Sequence, residues 1–126
     1  MRDFSGKKIV VVDDTDSILM LFTALLEAHH AQAITFNSGR EFLNQAEELS
    51  PDLILLDIQM PDIDGYRVLD SLSTMTTISN TPVIALTAHA MSGDKEKIIE
   101  KGFSGYIAKP VDTRSFPDQI ASFLAL

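Results

Sequence analysis

The sequence predicts an α/β fold in which a five-stranded parallel sheet carries helices on both faces. Short runs of β-branched residues or leucine recur along the chain, and each is followed by a segment that reads as a helix. The runs are continuously apolar instead of alternating with polar residues, which is typical of strands buried on both faces. Strands that alternate with helices over short connections favour a parallel sheet.

The first strand is predicted at residues 7–12, between Gly6 and the acidic pair Asp13 and Asp14. A helix is predicted from Asp16 to Ala28, because apolar residues recur there with helical spacing. The stripe predicted to face the core consists of Ile18, Leu21, Phe22, Leu25 and Leu26, and Leu19 and Met20 lie outside it.

A weaker second strand is predicted at residues 31–36, near an edge of the sheet. Ser38, followed three residues later by Glu41, forms a capping box that opens a second helix, which ends at Ser50-Pro51. The third strand is the apolar run that ends in the carboxylate of Asp57.

The second half of the chain repeats the alternation of strand and helix. No linker, repeat or low-complexity segment interrupts it, so residues 1–126 are predicted to form a single domain. At least one of Ile98 and Ile99 should lie in the core, because neighbouring helical residues cannot both face fully inward. The remaining predicted elements are a helix at 64–72, a strand at 82–86 ending at Thr87, a helix at 92–101 closed by Gly102, a strand at 105–108 and a helix at 115–124.

Composition narrows the possible functions. Hydrophobic residues make up 45% of the chain, which excludes an intrinsically disordered protein. No cysteine is present, so disulfides and thiolate metal sites are excluded, and a cytoplasmic location is expected. A formal net charge of −8 argues against direct binding of nucleic acid. No apolar stretch reaches the roughly 18 to 20 residues of a membrane span, so no membrane contact is expected.

Polar side chains follow four of the predicted strands. They are Asp13 and Asp14 after the first strand, Asp57 at the end of the third, Thr87 at the end of the fourth and Lys109 after the fifth. The carboxyl ends of strands in a doubly wound sheet meet at one crevice, so these side chains are expected to lie together. Three crowded carboxylates call for a cation, and an ammonium or a hard ion such as Mg²⁺ suits them.

A carboxylate beside Mg²⁺, a lysine and a hydroxyl forms a site suited to a phosphoryl group. Asp57 is predicted to act as a nucleophile that forms an aspartyl phosphate, while Mg²⁺ and Lys109 neutralise charge on the transferred group. Each residue alone also has an ordinary structural explanation, as a cap, a turn residue or a strand residue. Their combination at successive strand ends favours the functional interpretation.

The chain resembles the receiver domain of response regulators in two-component signalling. The resemblance covers essentially the whole chain and implies a flavodoxin-like fold with strand order 2-1-3-4-5. The stretches that carry it are residues 9–14, 52–65, 82–88 and 105–110.

The resemblance implies a role for each residue of the site. Asp57 corresponds to the residue that a histidine kinase or phosphotransfer protein phosphorylates. Asp13 and Asp14 correspond to the pair that holds Mg²⁺, with Asp14 as the direct ligand and Asp13 acting mainly through water. The main-chain carbonyl of Gln59 completes the protein ligands, and Lys109 pairs with the phosphoryl oxygens.

The resemblance also implies a conformational switch. Thr87 corresponds to the switch hydroxyl and Tyr106 to the aromatic residue that turns inward when this hydroxyl moves. The surface of the fourth helix, fifth strand and fifth helix is expected to change with them and to bind a downstream output protein. Gln59 and His89 occupy positions that tune how fast the phosphoryl group is lost, and the Lys109–Pro110 peptide bond is expected to be cis.

Oligomeric state and context stay open within the family. A monomer or a dimer that forms on phosphorylation is expected. The chain starts at Met1 and no linker follows the last helix, which slightly favours a stand-alone receiver over one excised from a hybrid histidine kinase or a multidomain regulator. In this family the first helix helps to dock the kinase, so Leu19 and Met20 form either an exposed docking pair or two ordinary exposed apolar residues.

Two other functions begin from an acidic residue at a strand end. A phosphatase with an aspartyl nucleophile usually has a second Asp two residues later as general acid, where this chain has Gln59. A flavodoxin-like cofactor binder would need a Ser/Thr/Gly-rich phosphate loop where this chain has Asp13 and Asp14. Neither alternative accounts for Lys109, so the chain is predicted to be a phosphoacceptor switch and not an enzyme with turnover.

Overall fold

The computed structural model describes residues 2–88 and 92–125, and it contains the predicted parallel sheet. The strands are β1 (Lys8–Val12), β2 (Gln32–Phe36), β3 (Leu53–Asp57), β4 (Val83–Thr87) and β5 (Gly105–Ala108). They are ordered β2-β1-β3-β4-β5 and every neighbouring pair is parallel. This order confirms the flavodoxin-like α/β fold.

Each strand is followed by a helix, as the alternation predicts. The first two helices have the predicted bounds, and the other three differ from the prediction by one residue at one or both ends. None of the helices in the described ranges is long and apolar enough to cross a membrane. The helices are α1 (Asp16–Ala28), α2 (Gly39–Leu49), α3 (Gly65–Ser73), α4 (Ser92–Glu100) and α5 (Phe116–Phe123).

The sheet separates two apolar cores, and alternate residues of β1 face opposite cores. Ile9 and Val11 pack with α1 and α5, where the rings of Phe22 and Phe116 lie 5.2 Å apart between centroids. Val10 lies in the other core, with buried residues of α2, α3 and α4. Because both faces of the central strands are covered, their sequences read as continuous apolar runs.

Helix α1 corrects two of the predicted core assignments. Leu19 is only 8% exposed, whereas Leu21 is 37% exposed and Met20 is 73% exposed. Leu19 lies about two turns before the fully buried Leu26 and therefore points in nearly the same direction. Leu21 lies beyond the opposite edge of the stripe that Phe22 centres. The proposed exposed pair is therefore wrong, because only Met20 of the two is exposed.

Three finer predictions are confirmed. The Lys109–Pro110 peptide bond is cis. The Ser38 hydroxyl caps α2 by accepting a hydrogen bond from the Glu41 amide at 3.3 Å. Ile98 is fully buried while Ile99 is 52% exposed, so α4 inserts one of its two isoleucines into the core.

The loop between β3 and α3 is closed tightly at its base. The Gly65 amide donates to the Ile58 carbonyl at 2.9 Å. A Cβ at position 65 would stand 2.7 Å from the carbonyl oxygen of Asp57, so only glycine permits this approach. Asp64 caps α3 by accepting from the Arg67 amide at 3.0 Å. These contacts hold the end of β3 against the start of α3.

Candidate functional site

The strand ends bring five of the predicted site residues to one edge of the sheet. Asp13 directly follows β1, Asp57 ends β3, Thr87 ends β4 and Lys109 directly follows β5. Asp13, Asp14 and Asp57 each offer a carboxylate oxygen, and these three oxygens lie within 4.8 Å of one another. The expected convergence of the acidic residues and the lysine at the carboxyl ends of the strands is therefore present.

Lys109 connects the acidic residues to the sheet. Its amide donates to the Thr87 carbonyl at 2.8 Å, which fixes the start of its side chain beside β4. Its Nζ forms a hydrogen-bonded ion pair with Asp13 Oδ2 and lies 3.4 Å from Asp57 Oδ2. Asp13 is fully buried, and its Oδ1 accepts from the Thr15 amide at 2.9 Å. Both oxygens of Asp13 are thus engaged by the protein.

Asp57 is held in surroundings that oppose its ionisation. It is only 4% exposed, and this burial, with a smaller contribution from Asp13, raises its pKa from 3.8 to about 6. The Gln59 amide, which donates to Asp57 Oδ1 at 3.0 Å, and the Lys109 ammonium lower the pKa but do not cancel the rise. The protein groups alone therefore leave this carboxylate incompletely compensated.

The acidic cluster suits a hard divalent cation. It offers only carboxylate oxygens, and Asp14 is exposed at its rim, where water can complete a coordination shell. Oxygen ligands with several waters are the arrangement that Mg²⁺ prefers. Gln59 lies in the loop directly after β3, and the role of its main-chain carbonyl stays a prediction.

The two predicted switch residues lie on neighbouring strands. Thr87 is 4% exposed and pairs in register with Ala108, and Tyr106 pairs with Ala85. Tyr106 is half-buried and packs against the core on the side of α2, α3 and α4. His89, for which the resemblance implies a tuning role, lies outside the described residues.

Sequence reasoning missed a pair of contacts made by α4. Lys95 Nζ lies 5.3 Å from the ring centroid of Tyr106, and Lys97 Nζ lies 5.1 Å from that of Tyr66. Tyr66 in turn packs edge-on against Phe103. No local pattern signals these contacts, because each lysine meets a ring that is distant in sequence.

The loop after β3 holds a second contact that sequence reasoning missed. Asp62 Oδ2 accepts from the Ser38 hydroxyl at 2.9 Å and from the Arg40 amide at 3.1 Å. Asp62 is more than twenty residues from both partners in sequence. The capping-box pattern at Ser38 therefore did not predict this second acceptor at the start of α2.

Comparison with known proteins extends these observations. The response regulator receiver domain family matches residues 9–121. The polar-differentiation response regulator DivK of Brucella ovis is 41% identical over 118 residues, which cover 94% of this chain and 96% of DivK. DivK of Brucella anthropi is 40% identical over the same share of both chains.

Solved structures show the same fold. The chemotaxis response regulator CheY4 of Vibrio cholerae has a TM-score of 0.87 and 24% identity, over 93% of this chain and 98% of that one. The receiver domain of the sensor histidine kinase PA1611 of Pseudomonas aeruginosa PAO1, whose structure has a magnesium ion coordinated in the active site cleft, has a TM-score of 0.86 and 26% identity over 97% of this chain and 100% of that one. The match to the family over nearly the whole chain, together with the identity to DivK, shows that this chain belongs to the receiver domains of two-component response regulators.

Proposed function

We propose that this receiver domain accepts a phosphoryl group on Asp57 from a histidine kinase or phosphotransfer protein, in a reaction that requires Mg²⁺. The observation that carries the proposal is the position of one carboxylate. Asp57 lies 3.4 Å from Lys109 Nζ, and its carboxylate forms a cluster with those of Asp13 and Asp14. Such a site combines a nucleophile with a positive charge and with candidate metal ligands.

The proposed transfer is a single displacement at phosphorus. An oxygen of the ionised Asp57 carboxylate forms the new bond to phosphorus, and the bond from phosphorus to the donor's imidazole nitrogen breaks. The electron pair of that bond stays on the nitrogen, and the departing imidazolate becomes a neutral imidazole by taking up one proton from solvent. Lys109 is placed to donate to a phosphoryl oxygen as the group arrives, because its Nζ already contacts Asp57. Asp57 is mainly ionised at pH 7, because its pKa is about 6.

We assign the metal to residues of the acidic cluster. When bound, Mg²⁺ supplies positive charge that stabilises the transferred phosphoryl group. Asp14, Asp57 and the main-chain carbonyl of Gln59 are the proposed direct ligands, and Asp13 is proposed to act through water. The engagement of both Asp13 oxygens by the Thr15 amide and the lysine supports this indirect role. The magnesium ion in the related Pseudomonas receiver supports the choice of metal.

The phosphoryl group is proposed to change the surface formed by α4, β5 and α5. It adds a charge of about −1.5 to −2 at pH 7 and needs new donors. The Thr87 hydroxyl would move toward it, and the Tyr106 ring would fill the space that this movement opens. A downstream output protein would then bind the changed surface, where Ile99 is 52% exposed. This is a local charge change that biases a two-state element.

The domain is proposed to act as a switch and not as an enzyme with turnover. The residue two positions after Asp57 is Gln59, whose side chain is exposed and donates a proton poorly. Loss of the phosphoryl group would therefore depend on water, at a rate that Gln59 and His89 are proposed to tune.

Phosphorylation by a small donor tests the proposal without a cognate kinase. The protein would be incubated with acetyl phosphate and Mg²⁺, and its intact mass measured. We expect the mass to rise by one phosphoryl group in the wild type and to stay unchanged in Asp57→Asn. Asp52→Asn is the matched control, because Asp52 directly precedes the first residue of β3, at the end of the strand opposite to Asp57. This variant should be phosphorylated like the wild type. An adduct that forms in EDTA, or one that persists in Asp57→Asn, would overturn the proposal.

A further inference from the structure

The geometry points to Asp62 as a positioning residue for the magnesium site, an inference that rests on the proposed function. Asp62 belongs to the loop that joins β3 to α3, and this loop also carries Gln59. Its carboxylate accepts hydrogen bonds from the start of α2. Asp62 would therefore act on the metal through the position of the loop and not by direct contact.

The contact between Asp62 and α2 is a second cap supplied from outside the helix. Amides in the first turn of a helix have no acceptor within the helix. The Glu41 amide is satisfied by the Ser38 hydroxyl, and the Arg40 amide is satisfied by Asp62 at 3.1 Å. The Ser38 hydroxyl itself donates to Asp62 at 2.9 Å. A carboxylate at this position also interacts favourably with the helix dipole.

Asp62 stays ionised at neutral pH, so this contact is a charged one. Partial burial acts to raise its pKa, but hydrogen bonds, led by those from the Arg40 amide and the Ser38 hydroxyl, together outweigh burial and hold the pKa below its ordinary value. Hydrogen bonds to an ionised acceptor are stronger than bonds between neutral groups.

Close packing next to Asp62 shows that the loop lies directly on α2. A Cβ at position 39 would stand 2.6 Å from Ile63 Cγ2 and 3.2 Å from Met60 Cε, so Gly39 is needed for this approach. Met60 is 7% exposed. Residues 60–63, the tip of the loop, are therefore fixed to α2 by an apolar contact and by the hydrogen bonds of Asp62.

The direction of the Gln59 carbonyl depends on this tip. The Gly65 amide fixes the base of the loop at Ile58, and the Gln59 amide is fixed by its bond to the phosphoacceptor. The Gln59 carbonyl belongs to the next peptide group, which leads to Met60 and on to Asp62. Releasing the tip would let this peptide group turn and would weaken any metal bound through the carbonyl.

Three variants separate positioning from charge and from general stability. Asp62→Ala removes both hydrogen bonds. Asp62→Asn keeps an acceptor oxygen for the Ser38 hydroxyl and the Arg40 amide but removes the charge. Asp52→Ala is the matched control, because Asp52 also accepts a backbone hydrogen bond, from the Lys8 amide at 2.8 Å, but at the opposite end of β3.

The first measurement is the Mg²⁺ dissociation constant by isothermal titration calorimetry. We expect Asp62→Ala to raise it about 3- to 10-fold, at or below the lower end of what loss of an outer-shell partner causes. Asp62→Asn should raise it less than Asp62→Ala does, because its acceptor oxygen keeps weaker, uncharged hydrogen bonds. Asp52→Ala should stay within about twofold of the wild type. The second measurement is the rate of phosphorylation by acetyl phosphate against Mg²⁺ concentration. Asp62→Ala should need more Mg²⁺ for its half-maximal rate and should reach the wild-type rate at saturation.

The outcomes distinguish this inference from the proposed function. A wild-type protein that binds no Mg²⁺ would overturn both. Wild-type binding with an unchanged dissociation constant in Asp62→Ala would overturn only the positioning role. Mg²⁺ binding that is weakened equally in Asp62→Ala and Asp62→Asn would assign the effect to charge. Mg²⁺ binding that is weakened as much in Asp52→Ala would assign the effect to general destabilisation. Either result also contradicts the inference.

Discussion

At the scale of single residues, the surroundings of Asp57 link stability to the proposed chemistry. Burial raises its pKa to about 6. The fold therefore disfavours the ionised form of Asp57, which is the form that a phosphoryl acceptor needs. The free energy that opposes its ionisation is available to favour a bound cation or a new covalent bond. Lys109, 3.4 Å away, reduces this free energy without removing it.

The raised pKa predicts how Asp57 affects stability in metal-free buffer. The folded-state pKa of Asp57 exceeds its ordinary value of 3.8. Protonated Asp57 therefore contributes to the free energy of unfolding fully below about pH 4, and this stabilisation is lost as pH rises through 6. Asp57→Asn should therefore be more stable than the wild type at pH 7.5, by about 1 kcal/mol after allowance for solvent screening. The advantage should shrink toward pH 4.5. Urea unfolding in EDTA measures it, and an advantage that grows as pH falls would contradict the assignment.

The site residues differ in how far sequence could predict them. Asp13, Asp57 and Lys109 were predictable because each stands at a strand end, and parallel strands bring their carboxyl ends to one edge. The contact of Asp62 with Arg40 was not, because it depends on how a loop settles on a helix. Local pattern carries information about elements but little about which distant side chains meet.

At the scale of elements, α1 shows where periodicity reaches its limit. Its bounds were predicted correctly, but the stripe was drawn one residue too far toward Leu21 and missed Leu19. Both residues are leucines at the edges of the stripe, so residue type could not show which of them is the more buried. The packing of α1 against the sheet and α5 decides which edge is buried, and that packing is a property of the tertiary structure.

The corrected face of α1 predicts a contrast between adjacent residues. Leu19→Ala should lower the free energy of unfolding by about 2 to 3 kcal/mol, because it leaves a cavity in a packed core. Met20→Ala should change it by less than about 0.5 kcal/mol, because Met20 is 73% exposed. Urea denaturation of the two variants provides the comparison, and each serves as the control for the other. Equal losses in the two variants would show that the face is misassigned.

At the scale of the whole molecule, the strand order explains why the site exists. Strands β1, β3 and β4 are adjacent in the sheet and β5 follows, so four separate segments of chain deliver acidic groups, a hydroxyl and a lysine to the same edge. The two cores on either side fix these strands, and the loops at their ends carry the chemistry. The alternating pattern predicted a parallel sheet with helices on both faces, because chain order and strand handedness allow few alternatives for repeated βα units. The strand order itself was implied by the resemblance to receiver domains.

The central claim is that Asp57 is the residue that carries the phosphoryl group, and chemical mapping tests it most directly. Protein treated with acetyl phosphate and Mg²⁺ would be reduced with borohydride, which converts an aspartyl phosphate to homoserine, and then sequenced by tandem mass spectrometry. We predict homoserine at position 57 and unmodified aspartate at positions 13 and 14. Homoserine at position 13 or 14, with aspartate retained at position 57, would contradict the claim.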